Sequence, residues 1–234
     1  RTRHQVTTSP HNWKIAGEGP EYENTWSLGA DTNVDDLDAV LKASFMCNEY
    51  GLDPISFGST LAAAMELYET GAIKDKITGM PLRFGSADAL VAMTEATAFR
   101  RGFGNELAEG SKWMCDKFGH PEFFMGSKGQ EFPAYDARAI QGMGLGYATS
   151  NRGGCHLRGY TLASEILGIP VKTDPAATAG KPALSIAFQH TNAAFDASGT
   201  CVFLTFGVGV EDAVPELVAA TGIDYTVESL MEVG

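Results

Sequence analysis

Four stretches of helical apolar rhythm, each closed by a glycine, constrain the fold of this chain more than any other feature. Over residues 34–50, Leu37, Val40, Leu41, Ser44, Phe45 and Asn48 follow i, i+3, i+4 spacing, with Asn33 as the expected N-cap and Gly51 as the stop. The same logic predicts helices over 59–70 ending at Gly71, over 87–101 behind Ser86 and ending at Gly102, and over 105–118 ending at Gly119. A fifth helix is expected over 183–195, apolar on most faces and therefore buried. Only the β-branched runs at 169–173 and 201–206 could form strands, and helix or coil is the expectation even there. The chain reads as all-α.

Between His120 and Arg158 the character changes. Glycines, prolines and aromatics crowd "GQEFPAYDARAIQGMGLGYATSNRGG", which cannot be one regular element and reads as an ordered, ligand-shaping segment. The best boundary lies near Gly126, giving expected domains 1–125 and 126–234. No internal repeat, low-complexity tract or flexible linker interrupts them. Arg1 stands where a methionine would, and "YTVESLMEVG" reads as a helix just begun, so a piece of a longer chain is expected.

Composition narrows the function. The 234 residues are 44% apolar and 20% charged, as in an ordinary folded protein. A formal net charge of −12 argues against nucleic acid or an anionic membrane as partner of the whole surface. No run approaches eighteen apolar residues, and the first residues carry no signal-peptide pattern. Cys47, Cys115, Cys155 and Cys201 are spread without paired spacing, which favours reduced thiols and a cytoplasmic setting.

Several constellations carry chemistry. "NEYGLD" (48–53) and "DASGTC" (196–201) echo one another, each placing an amide or carboxylate three residues before a glycine and an acid or thiol two residues after it. They are either two ordinary helix ends or two ligand turns, whose bare glycine backbone suits a flat ring and whose side-chain oxygens accept from it. "TSNRGGCHLRGY" (149–160) puts Arg152 and Arg158 around Cys155 and His156. Guanidiniums are rarely buried unpaired, so these face water or clamp an acceptor-rich group. Cys155 beside His156 raises a thiol nucleophile, against a structural thiol beside a functional or core histidine. Cys201, in an apolar run, is by default an inert core cysteine, and Cys47 and Cys115 have no role beyond packing. Glu18, Glu21 and Glu23 cluster around "GPEYEN". A general acid or base would be whichever turns into a less polar pocket, and the residues alone do not choose it. Asp136 and Arg138 read as an ion pair within the chain.

Taken in order, "GPEYENTWSLGA", "CNEYGLDPISFGSTLAAAMELYETG", "FRRGFGNELAEG", "FPAYDARAIQGMGLGYATSNRGGCHLRGY" and "DASGTCVFLTFG" resemble the tungsten-dependent aldehyde ferredoxin oxidoreductase family. The match runs from about Gly19 to the end and covers the central and later part of a family member. The resemblance implies two helical domains, with the family's β-rich N-terminal domain and its Cys-x2-Cys-x3-Cys motif upstream of Arg1. It implies a tungsten (or molybdenum) bis-pyranopterin and a [4Fe-4S] cluster. An aldehyde would become a carboxylate, and ferredoxin or electron-transfer subunits would take the electrons.

Residue by residue, the echo motifs match the family's paired pterin turns. Asn48, Leu52 and Asp53 belong to one; Asp196, Thr200 and the neighbouring Val202 belong to the other. Cys201 matches the cluster's fourth thiolate, against its default core reading. Arg152 and Arg158 match basic residues near pterin, where guanidiniums suit phosphate and pterin acceptors. Glu23 and His156 match the family's active-site pair, handling protons and polarising the substrate oxygen. Three departures stand out: Asn48 replaces an aspartate, Thr200 replaces a leucine, and Lys42 and Val91 occupy the places of a glutamate and a histidine that bind a metal between subunits. The bridging metal is therefore expected to be missing, and any oligomer to be built differently. Three alternatives stay open: a related tungstopterin enzyme acting on another carbonyl or an aromatic thioester, a helical scaffold inactive in isolation, and a hydrolase using Cys155.

Overall fold

The computed structural model describes residues 3–6, 10, 11, 13 and 15–233, so positions 1, 2 and 234, at the outer ends of the two expected domains, lie outside the described residues. The chain divides into two compact units, Arg1–Ala134 and Tyr135–Gly234. The first opens with an antiparallel hairpin, β1 (Arg3–Val6) and β2 (Ile15–Glu18), then α1 (Tyr22–Thr25), which runs directly into a π-helical turn at Trp26–Ala30. It continues with α2 (Leu37–Tyr50), α3 (Pro54–Glu69), α4 (Asp75–Thr78), α5 (Ala87–Ala98), α6 (Gly104–Leu107) and α7 (Ser111–Lys117). A 3-10 turn at Pro121–Phe123 and a short hairpin, β3 (Gly126–Ser127) with β4 (Gln130–Glu131), complete it. The second unit holds α8 (Gln141–Thr149), a π-helical turn at Ala163–Leu167, α9 (Lys181–Ala197), a 3-10 turn at Val202–Phe206, α10 (Val210–Thr221) and α11 (Val227–Val233). None of the helices among the described residues is long and apolar enough to cross a membrane.

The expected helices form, with boundaries moved for local reasons. Asp36, not Asn33, caps α2, because its carboxylate accepts from Ala39 N–H at 3.1 Å; Asn33 instead sits at φ 56° in the turn that closes the π-helical segment. The second helix starts at Pro54 rather than at 59: Asp53 caps it by accepting from Ile55 N–H at 2.9 Å, and Pro54 occupies a first-turn position that needs no amide donor. The third helix keeps its Ser86 cap and ends at Ala98, three residues early, because Arg100 turns to φ 51°. The fourth breaks into α6 and α7 at Gly110, whose φ of 85° no helix accommodates.

Neither β-branched run is a strand: 202–206 is a 3-10 turn and 169–173 has no regular structure. The two hairpins were not foreseen. Helix α9 also departs from expectation: it buries one face through Lys181, Ser185, Asn192 and Phe195, while Ile186 stays 53% exposed.

The core of the first unit centres on Leu28, Leu61, Met65, Leu67, Leu90 and Met114, all fully buried. Apolar burial of this kind supplies roughly 1.5–3 kcal/mol per large side chain. Against it the π-helical turn packs on α3 through Gly58, where an added Cβ would come within 2.5 Å of the Ser27 carbonyl oxygen. Ser27 Oγ also donates to Pro54 O at 2.9 Å. We expect Gly58→Ala to destabilise the protein by about 1–3 kcal/mol, read as a lower denaturation midpoint, because two backbones must separate to admit the methyl group. The second unit has a smaller core of Ala194, Phe195, Val210, Ala213 and Leu230, which ties α9 to α10 and α11.

Candidate functional site

Among the three clustered glutamates, the fold selects Glu23. Its position on the single turn α1, fixed by the Ser27–Gly58 contact and by Asn24 donating to Ser44 Oγ at 3.0 Å, leaves it 6% exposed. The Ala134 N–H donates to its carboxylate at 3.0 and 3.3 Å. Burial outweighs that hydrogen bond and, helped by the charge of Asp53, pushes the Glu23 pKa up to about 7. Glu23 is thus a carboxyl poised to hold or release a proton near neutrality.

That shift also makes a stability prediction. A carboxyl with a raised pKa binds more protons folded than unfolded between its ordinary value of 4.5 and about 7, so its contribution declines as pH rises through that window. Glu23→Gln should therefore gain on the unsubstituted protein by about 3 kcal/mol between pH 4.5 and pH 8, at about 1.4 kcal/mol per pKa unit. Denaturant titrations at the two pH values would show it; an unchanged difference would contradict it.

The two echo motifs are replicas in backbone. At the end of α2, Gly51 takes φ 71° and Leu52 N–H donates to Cys47 O at 2.9 Å. At the end of α9, Gly199 takes φ 76° and Thr200 N–H donates to Phe195 O at 3.1 Å. In both, the residue after the glycine closes onto the carbonyl just before the amide or carboxylate. The equivalence extends to the last position. Asp53 (φ −72°, ψ 114°) and Cys201 (φ −66°, ψ 127°) are both extended and both begin the next helical segment. Asn48, Asp53, Asp196 and Cys201 are exposed, while Leu52, Thr200 and Val202 are half-buried.

Cys201 is the sole exposed cysteine of the four, so its default reading as a core thiol is wrong: the turn ends before the chain re-enters the core. Cys47 and Cys115 are buried, and burial pushes their thiols up to about 12 and about 11, which keeps them protonated and inert.

In the second unit, His156 is 7% exposed between Tyr135 and Tyr160, with ring centroids 5.4 and 5.8 Å away. Burial, aided by the positive charge of Arg152, lowers its pKa to about 4, so the imidazole is neutral at physiological pH. The two tyrosine hydroxyls lie 3.0 Å apart. Neither tyrosine was singled out from sequence, although Tyr135 falls inside the aromatic-rich segment and Tyr160 ends the 149–160 stretch. Arg152 Nη1 reaches Cys155 Sγ at 3.5 Å, and Cys155 is buried. Arg158 Nη1 lies 3.5 Å from Asp196 Oδ2, while its Nε is buried without a hydrogen-bond partner. Asp136 and Arg138 form the expected ion pair, exposed to solvent at 2.6 Å.

A family model described as aldehyde ferredoxin oxidoreductase, domains 2 and 3, matches residues 2–234. The chain belongs to the aldehyde ferredoxin oxidoreductase family. It is 49% identical over 220 residues to the tungsten-containing aldehyde ferredoxin oxidoreductase of Pyrococcus furiosus, an alignment that covers 93% of this chain and 36% of that protein. It is 47% identical to the enzyme of the same name from Thermococcus kodakarensis, with the same coverage. The chain thus spans about a third of the length of the curated relatives it matches. Among solved structures it resembles the active-site complex BamBC of benzoyl coenzyme A reductase bound to 1,5-dienoyl-CoA, with a TM-score of 0.72 at 16% identity, over 99% of this chain and 41% of that one. That likeness concerns the fold.

The helical architecture is accordingly that of the second and third domains of an aldehyde ferredoxin oxidoreductase. Its residues also suit the group the family name implies. Arg158 presents a buried, unsatisfied N–H, the glycine turns expose acceptor side chains, and Cys201 offers a thiol to solvent. Among the described residues no three His, Cys, Asp or Glu side chains converge as a metal site.

Proposed function

We propose that this chain forms the cofactor-holding, substrate-facing part of a tungsten enzyme that oxidises an aldehyde to a carboxylic acid and passes the electrons to ferredoxin or a similar acceptor. The observation that carries the reading is the pair of replica turns, 48–53 and 196–201, which differ in one chemically telling place: Asp53 in the first is Cys201 in the second. A paired organic ligand needs two like cradles, and an added thiolate on one of them suits an adjoining iron–sulfur cluster.

In this reading Asn48, Leu52 and Asp53 hold one pyranopterin, and Asp196, Thr200 and Val202 hold the other. Arg152 and Arg158 bind phosphate or pterin acceptors through charge-assisted hydrogen bonds. When bound, the tungsten–pterin group and the [4Fe-4S] cluster supply the redox chemistry, accepting two electrons from the substrate and relaying them outward.

The balance of the reaction sets what the side chains must do. An aldehyde plus water gives a carboxylic acid, two protons and two electrons, so a base must take a proton as oxygen is added. Glu23, titrating near 7, can accept it, and the neutral His156 can donate a hydrogen bond to the substrate oxygen. Domains 1–125 and 126–234 correspond to the two helical domains of the family in this scheme, working in the cytoplasm. Quantifying tungsten and iron in the full-length protein tests the proposal: one tungsten with about four irons per chain is the expected result, and absence of any group 6 metal rejects it.

A further inference from the structure

We propose that Glu165 and Lys181 are positioning residues that hold the turn bearing Asp196 and Cys201 in register with the loop bearing Arg152 and Arg158, an inference that rests on the cofactor reading above. Glu165 is fully buried on the π-helical turn at 163–167, and its Oε1 accepts from the Lys181 ammonium, itself only 5% exposed. The same oxygen accepts from Gly142 N–H at 2.9 Å, and Lys181 Nζ donates a second time to Asp174 O at 2.7 Å. Gly142 lies in the first turn of α8 and Lys181 is the first residue of α9. One desolvated charge pair therefore pins the starts of both helices. Gln141 N–H adds a bond to Pro175 O at 2.9 Å, fastening the start of α8 to the segment that leads into α9.

The far ends of the same two helices carry the proposed cofactor contacts. Helix α8 delivers the 150–158 loop, and α9 delivers the 196–201 turn. There a second set of contacts joins them: Arg158 to Asp196, and Asn192 Nδ2 donating to Leu157 O at 2.7 Å. The frame is thus tied at both ends, and its near tie leaves little room for adjustment. A Cβ on Gly142 would lie 2.6 Å from Glu165 Oε2 and 2.7 Å from Thr161 Oγ1. Helices transmit a shift at one end to the other as rigid rods, so the start of α9 sets where its last turn sits. A buried ion pair is a poor stabiliser compared with apolar residues of like volume, whereas it does specify one geometry. That asymmetry separates positioning from stability.

The test uses the full-length, metal-loaded protein carrying Glu165→Leu with Lys181→Met, an apolar pair of similar size. Positioning predicts a folded variant whose thermal midpoint falls only by what the two backbone groups left without partners, Gly142 N–H and Asp174 C=O, cost, with an altered electron paramagnetic resonance line shape and reduction potential of the iron–sulfur cluster and kcat lowered by about 10²-fold at unchanged KM. Lys181→Arg keeps the charge and moves the start of α9 through its longer side chain. It should shift the same cluster signature, and it serves if the double variant fails to fold. A folded variant of either kind with native cluster signature, potential and kcat overturns the inference alone. An unsubstituted protein with neither tungsten nor cluster overturns the cofactor reading, and this inference with it.

Discussion

Glu23→Gln in the full-length enzyme is expected to lower turnover by about 10²- to 10⁴-fold, the range typical for loss of a positioned general base, with tungsten content unchanged. Glutamine keeps the shape of the side chain and an acceptor for the Ala134 amide, so the backbone contact at 3.0 Å survives. It cannot accept a proton. The pH profile supplies the sharper check. Burial places the carboxyl's pKa at about 7, so kcat of the unsubstituted enzyme should rise with pH through that value as the base ionises. The limb should be missing from the variant's residual activity. If Glu23→Gln turns over normally, or if the limb near 7 persists in it, the base lies elsewhere. His156 does not produce a limb in that range, because its imidazole titrates at about 4 and is already neutral.

Cys201→Ala should abolish the spectroscopic signal of the [4Fe-4S] cluster or change it sharply, with electron delivery to ferredoxin lost in step. The thiol stands on an exposed, extended residue directly after a glycine turn, where its removal disturbs no core packing. The thermal midpoint of the metal-free protein should accordingly move little. The corresponding substitution at a buried thiol behaves oppositely: Cys47→Ala opens space among the residues of the first unit's core and lowers stability, and leaves the cluster spectrum as it was. A Cys201→Ala protein with native iron content and native spectrum would remove this residue from the ligand set.

Much of this was legible in the residue order. Helix existence followed from spacing, because a buried stripe must recur with the period of the backbone, and the stops followed from glycines that alone take positive φ cheaply. The boundaries followed less well. Asp36 and Asp53 cap α2 and α3, and spacing did not single them out as caps because a cap depends on which oxygen reaches a free amide. The break at Gly110 and the hairpins at 3–6 with 15–18 and at 126–127 with 130–131 depend on neighbours distant in sequence or on short turns with no periodic signal.

By itself the amino-acid sequence determined the all-α class, the family, and the two glycine turns, since these rest on local backbone preference and on motif order that survives any packing. Only tertiary structure decided which of the clustered glutamates is buried with a raised pKa, the one to which the family resemblance had pointed. Glu18, Glu21 and Glu23 are chemically alike along the chain, and Glu23 differs because the close approach of Ser27 to Gly58 turns it away from water. Tertiary structure likewise made His156 neutral and left Cys201 facing solvent, because desolvation is a property of what surrounds a group and not of the group.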